Sequence, residues 1–200
     1  MWLSYIWLAL GWMVYGAIHS ILASGACKGW FNRKSAFIAR HYRILYILIA
    51  VISLVIMAVL FWETPRFLLW KPMPITQIPG IFLIILGSVI MGIIIRKYFS
   101  TVKNMHDLMY DNSIPVLFQN GLHRFIRHPL YLGTFLLIWG FFLLFPYGSL
   151  LVSNVIITLY TILGIGYEEK KLTVVFGEKY FQYKKEVPML LPKLRKSGLK

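Results

Sequence analysis

Acidic residues and cysteine are what this 200-residue sequence has least of. Seven Asp and Glu stand against 21 Lys and Arg, a formal charge of +14, and charged residues of both signs make up only 14% of the chain. A soluble domain carries about a quarter charged residues. With 58% hydrophobic content and a mean hydropathy of +0.69, this chain is therefore an integral membrane protein. The single cysteine, Cys27, excludes an internal disulfide and any cysteine-based metal cluster. The histidines, His19, His41, His106, His123 and His128, show no His-x-x-x-His or His-Glu-x-x-His spacing, so no metal site is expected. No groove of interleaved basic and aromatic residues accompanies the positive charge. The basic residues fall between apolar runs, where they serve topology and anionic headgroups rather than nucleic acid. No repeat, low-complexity tract or linker divides the chain. A single domain over residues 1–200 is expected, with a three-helix N-terminal part (1–95) and a second part (96–200) holding a polar loop, a helical hairpin and a tail.

What the sequence does have is long apolar runs. Crossing a hydrocarbon core takes about 20 helical residues, and runs of that order cover Trp2 to Ala23, Ile44 to Trp62, Ile78 to Ile95, Leu130 to Phe145 and Leu150 to Ile165. An all-α protein with five transmembrane helices is predicted. The last two are short and joined by Pro146-Tyr147-Gly148-Ser149, which reads as a tight turn between antiparallel neighbours.

The first run could pass for a signal peptide, since small residues Ala23-Ser24-Gly25-Ala26 precede Cys27. A signal peptide, however, has its positive residues before the apolar region, and here Lys28, Arg33, Lys34, Arg40 and Arg43 follow it. The first helix is expected to stay, with the N-terminus outside. Alternating from that start places the first loop, the third loop (Arg96, Lys97, Lys103, Arg124, Arg127) and the tail inside. Of the 21 basic residues only Arg66 and Lys71 are left outside, in the Pro-rich second loop. The inner side also collects Asp107, Asp111, Glu168, Glu169, Glu178 and Glu186, every acid but Glu63, which reads as a solvated helix end. His41, His106, His123 and His128 fall there too, as does the end of the first helix with His19 and Ser20. The working face is expected to be cytoplasmic, on a bacterial inner membrane or its equivalent.

Two stretches on that face carry the chemistry. In the first, Gly121-Leu122-His123-Arg124-Phe125-Ile126-Arg127-His128 runs into Pro129-Leu130-Tyr131-Leu132-Gly133 and an apolar segment. A proline between polar residues and an apolar run is the expected first-turn residue of a helix, because its missing N–H would be unpaired there anyway. Arg127 and His128 then sit at a helix mouth, where backbone N–H groups and the positive dipole end favour an anionic group that an arginine can clamp. The plainer reading of the same residues is a membrane-interface anchor with Arg and His reaching the headgroups. In the second stretch, Gly166-Tyr167-Glu168-Glu169-Lys170-Lys171-Leu172 leads to Phe176-Gly177-Glu178-Lys179-Tyr180-Phe181-Gln182-Tyr183. The spacing predicts a helix, a bend at Gly177 and an amphipathic helix ended by Val187-Pro188. Glu168 and Glu169 are either site carboxylates or a solvated pair neutralised by Lys170 and Lys171.

Taken together, Arg127-His128-Pro129-Leu130-Tyr131-Leu132-Gly133 and Glu168-Glu169, Phe176-Gly177, Tyr180, Tyr183 and Val187-Pro188 resemble the isoprenylcysteine carboxyl methyltransferase and phospholipid methyltransferase superfamily. The resemblance covers roughly Gly121 to Pro192. It implies S-adenosyl-L-methionine as methyl donor, bound from the cytoplasmic side, with Arg127, His128, Pro129, Tyr131 and Glu168 or Glu169 lining the cofactor site; Arg127 and, as a departure from the family's motif, His123 are the catalytic candidates. Chemically the assignment is reasonable: Arg127 and the helix mouth suit the donor's carboxylate, and a glutamate suits its amino group or ribose. Gly164-Ile165-Gly166 lies within an apolar helix with no strand before it, so no Rossmann fingerprint competes.

A second resemblance, carried by His19-Ser20-Ile21-Leu22-Ala23-Ser24, Lys28, Tyr42-Arg43-Ile44-Leu45-Tyr46 and the ending Val187-Pro188-Met189-Leu190-Leu191-Pro192, is to bacterial membrane methyltransferases that include methanethiol S-methyltransferases. It implies a small or lipophilic acceptor, a thiol ahead of a prenylcysteine carboxylate or a phospholipid amine. Leu163-Gly164-Ile165-Gly166 stands where prenylcysteine enzymes have an arginine one turn before the glutamates, which argues against a carboxylate acceptor. His123 stands where many relatives have tyrosine, and offers a general base or simply an interface histidine. Two rivals remain at this stage: an NADPH-dependent sterol reductase, whose motif typically has Asn and an acid where this chain has Leu130 and Thr134, and a non-catalytic membrane protein. No motif fixes an oligomeric state.

Overall fold

The computed structural model describes residues 2–101 and 116–192. Lys103, His106, Asp107 and Asp111, and the basic residues after Pro192, lie outside the described residues. Among those described, the chain is helical, and the one β-type pairing is an isolated bridge between Leu68 and Tyr147. The helices are α1 (Trp2–Ala23), α2 (Gly25–Lys34), α3 (Ala36–Glu63), α4 (Pro74–Thr101), α5 (Pro129–Leu144), α6 (Gly148–Phe176) and α7 (Glu178–Glu186). Four of them, α1, α3, α4 and α6, are long and apolar enough to cross a membrane. The fifth expected span, α5, is apolar but only 16 residues long.

The basic first loop contains α2. Serines delimit it: the Cys27 N–H donates to Ser24 Oγ (3.2 Å), while Ser35 ends α2 and its Oγ accepts from the Ile38 N–H (3.3 Å) to start α3. Each serine satisfies an N–H that a helix start leaves unpaired. Glu63 is the exposed last residue of α3, as expected.

The described chain forms two compact units. The first comprises α1, α2, α3 and α6 up to Tyr160. Polar side chains pair across this unit. Trp12 Nε1 donates to Ser153 Oγ (2.9 Å), Tyr46 Oη lies 2.7 Å from His19 Nε2, and Tyr5 Oη donates to the Pro65 carbonyl (2.7 Å).

The second unit comprises α4, the polar loop, α5, the rest of α6 and α7. Here α4 and α5 approach so closely that only glycine fits. A Cβ on Gly87 would lie 2.6 Å from the Gly133 carbonyl oxygen, and one on Gly140 would lie 2.8 Å from that of Gly80. The pairs Gly80/Gly140 and Gly87/Gly133 run in opposite order along the two helices, so the helices are antiparallel with backbone against backbone. In lipid, where burial of apolar surface drives no association, such close packing holds helices together.

The expected last span, Leu150 to Ile165, is one part of α6, which continues without a break to Phe176. At Gly177 the chain turns with φ 54° and ψ −132°, a region open to glycine, and α7 follows as the spacing predicts. The apolar face of α7, with Tyr180, Tyr183 and Val187 buried, packs on Leu117, Leu172 and Phe176. That packing folds the tail back against the polar loop.

Candidate functional site

Everything proposed as a site residue lies in the second unit. Gly121 adopts φ 67° and opens a single 3-10 turn, Gly121–Arg124. His128 follows shortly after, and its carbonyl accepts the Leu132 N–H (3.1 Å), which makes it the residue preceding the first turn of α5 and puts Pro129 at the first helical position. The N–H groups of Arg127 and His128 are taken up within the chain. They donate to the carbonyls of Pro188 (2.9 Å) and Met189 (3.1 Å), so the segment after α7 is strapped along the motif.

Consecutive residues of an α-helix point about 100° apart, and Glu168 and Glu169 diverge accordingly. Glu169 turns inward and is buried. Its Oε1 accepts from Arg127 Nε (2.7 Å), lies 2.6 Å from Arg127 Nη2 and 3.2 Å from His128 Nε2, and its Oε2 lies 2.7 Å from Lys184 Nζ on α7. A buried carboxylate is tolerable only when paired and hydrogen-bonded this fully. Its partners are thus Arg127, His128 and Lys184, far along the chain, and not the adjacent Lys170, whose Nζ sits 5.5 Å from the Tyr167 ring centroid. Arg127 Nη1 also donates to the Lys184 carbonyl (3.0 Å) and to that of Val187. The guanidinium therefore knots the motif, the end of α6 and the end of α7 together.

Glu168, by contrast, is 43% exposed; its Oε2 accepts from Tyr131 Oη (3.0 Å) and stands 3.9 Å from His128 Nδ1. It borders a cavity of about 240 Å³ whose wall also includes His123, Arg127, His128, Pro129 and Tyr131. Of the residues selected from sequence, Glu169 alone is absent from that wall. The cavity adds residues that sequence reasoning missed: Ile94, Lys97 and Tyr98 from α4, and Phe118. Lys97 Nζ donates to the Asn120 carbonyl (3.0 Å) and stands 4.9 Å from the Phe118 ring centroid, which in turn stacks on His123 at 6.0 Å. The signal for Lys97 was there, a lysine at the end of an apolar run, but it reads equally as a topology residue.

His123 is held from both sides. Its Nδ1–H donates to the Arg127 carbonyl (3.2 Å), and its own carbonyl accepts from Tyr183 Oη (2.6 Å). Burial lowers its pKa from the ordinary 6.5, opposed by the hydrogen bond to Arg127 and reinforced by Lys97 and His128. Burial also pushes the phenols of Tyr180 and Tyr183 up to about 12, so both stay protonated at physiological pH. Among the described residues no group of His, Cys, Asp and Glu could hold a metal ion.

Residues 75–179 match the family described as phospholipid methyltransferase. Among curated proteins, the methanethiol S-methyltransferase of Crocosphaera subtropica is 29% identical over 202 aligned positions, covering 92% of this chain and 73% of its own length. That of Pseudomonas deceptionensis is 27% identical over 201 positions, covering 92% and 71%. The protein-S-isoprenylcysteine O-methyltransferase of Schizosaccharomyces pombe is 33% identical over 84 positions, 40% of this chain and 35% of its own. No solved structure matches the chain at a significant level.

Proposed function

This chain belongs to the phospholipid methyltransferase family, and from that membership, which makes it a membrane-associated methyltransferase acting on a small acceptor, we propose that it moves the methyl group of S-adenosyl-L-methionine to a thiol. The reductase and non-catalytic readings fall away with the family match. The observation that carries the proposal is the cavity itself, which gathers His123, Arg127, His128, Pro129, Tyr131 and Glu168 at the start of α5. Its donor set suits the cofactor. The half-exposed Glu168 and Tyr131 fit an amino group or ribose hydroxyls, Lys97 gives the wall the positive charge a carboxylate needs, and the aromatic rings suit a sulfonium. When bound, S-adenosylmethionine supplies an activated methyl group for in-line displacement.

The protein's part is positioning and exclusion of water. Glu168 and Tyr131 hold the donor from the α6 and α5 sides. Arg127 acts chiefly through Glu169, keeping the two glutamates and the tail in register. A thiol is the favoured acceptor because two relatives are named methanethiol S-methyltransferases and because Leu163-Gly164-Ile165-Gly166 offers no cation for an acceptor carboxylate. The test is label transfer from methyl-labelled S-adenosylmethionine to methanethiol, a longer alkyl thiol, a farnesylcysteine analogue and phosphatidylethanolamine. Thioether product from the free thiols is expected; methylation of the farnesylcysteine carboxylate or the lipid amine alone would move the assignment to that acceptor.

The proposal extends to a single domain over residues 1–200 and to five spans, α5 being the short one, with the N-terminus outside and the cavity cytoplasmic. The basic residues after α1 and around α6 and α7 support that orientation. Cys27 should then resist an impermeant thiol reagent in sealed right-side-out vesicles; its modification there would reverse the topology.

A further inference from the structure

We infer that Nε2 of His123 takes the proton from a neutral thiol acceptor, an assignment that rests on reading the cavity as a thiol-methylation site. The argument begins with the tautomer. A carbonyl oxygen can only accept, so the 3.2 Å contact between His123 Nδ1 and the Arg127 carbonyl places the proton on Nδ1 and leaves the Nε2 lone pair bare. Among the described residues Nε2 has no hydrogen-bond partner, while the ring borders the cavity. The ring is also fixed in place, stacked on Phe118 at 6.0 Å and 26°, with its backbone anchored by Tyr183 at 2.6 Å. A base so held loses little entropy on engaging its substrate.

The charged and titratable groups around it are Lys97 from α4, Arg127 and His128 beside the start of α5, and Tyr183 from α7. Lys97 and His128 disfavour a resting imidazolium, so the base is available at neutral pH; Arg127 is paired with Glu169, and Lys97 favours the thiolate that forms next to it, against Glu168 on the same wall. The other candidate base, Glu168, already accepts from Tyr131. It is also the poorer match, since a carboxylate is intrinsically a weaker base toward a thiol than an imidazole is. In the step, the S–H bond breaks, the proton joins Nε2 and the electron pair remains on sulfur. That pair then forms the new C–S bond as the donor's sulfonium recovers a lone pair, and the imidazolium returns its proton to water.

Two measurements decide it. The first needs no methyl donor: ¹⁵N imidazole spectra of the purified protein, which should show His123 protonated on Nδ1. The second compares methylation of an alkyl thiol with that of a more acidic aryl thiol already ionised at neutral pH. His123→Gln should lower the alkyl rate by about 10²- to 10⁴-fold, spare most of the aryl rate and leave S-adenosylmethionine affinity unchanged. A proton on Nε2, or an equal loss on both thiols, overturns the assignment. A wild type that methylates neither thiol overturns instead the reading on which it rests, and the tautomer result separates the two failures.

Discussion

Arg127 Nη2 lies 2.6 Å from Glu169 Oε1, with side chains only 8% and 7% exposed, across 42 residues of sequence. This buried pair joins the polar loop to the end of α6, and Lys184 and the carbonyls of α7 complete it. Its neighbour Glu168 points the other way, into the cavity. The two glutamates therefore divide the work: one holds the site together and the other faces what enters it.

That division has a stability signature. Removing one partner of a buried ion pair leaves the other charge uncompensated and costs about 3–5 kcal/mol. Arg127→Ala and Glu169→Ala should each lower the thermal midpoint of the detergent-solubilised protein markedly, whereas Glu168→Gln, at a 43% exposed carboxylate, should barely move it. Equal midpoints for Arg127→Ala and wild type would remove the latch from the account.

The two buried tyrosines of α7 should behave oppositely. Tyr183 Oη donates to the His123 carbonyl at 2.6 Å, so Tyr183→Phe should cost about 0.5–1.5 kcal/mol in equilibrium unfolding. Tyr180 Oη is buried without a partner among the described residues, so Tyr180→Phe removes an unsatisfied hydroxyl and should not destabilise. A larger loss for Tyr180→Phe than for Tyr183→Phe would reverse this reading of the tail.

Glycine contacts make the third case. Leucine at Gly87 or Gly133 would place side-chain atoms where the facing backbone lies, 2.6 and 3.0 Å from a built Cβ. Overpacking of that kind costs about 1–3 kcal/mol or more and would displace α5, which carries Pro129 and Tyr131. Gly92, with nothing near its Cβ position, is the control. Loss of folded yield for Gly87→Leu and Gly133→Leu but not for Gly92→Leu is the expected pattern; equal tolerance at all three would mean the helices do not touch there.

What the sequence made legible was local. Apolar runs marked the long apolar helices, Pro129 marked the start of α5, and Gly177 with Val187-Pro188 bounded α7, because proline and glycine constrain the backbone wherever they stand. What it hid was partnership at a distance. Lys184 on Glu169, the strap of Pro188 and Met189 along the motif, and the pairing of Gly80 with Gly140 depend on how the tail and helices fold back. No periodicity encodes that. The helix α2 escaped because its ten residues have neither an apolar run nor a strong face, only two capping serines. Lys97 and Phe118 escaped because a basic residue at the end of a span and a loop aromatic have commoner explanations.

The central claim is that the cavity beside Glu168 is the methyl-donor site, and titration of S-adenosylmethionine into purified wild type and Glu168→Gln tests it most directly. Loss of a charged contact should cost about 1.5–3 kcal/mol, weakening binding roughly 10- to 150-fold, with the thermal midpoint of the unliganded protein preserved. Undiminished affinity in a folded Glu168→Gln variant would contradict the account and place the donor elsewhere.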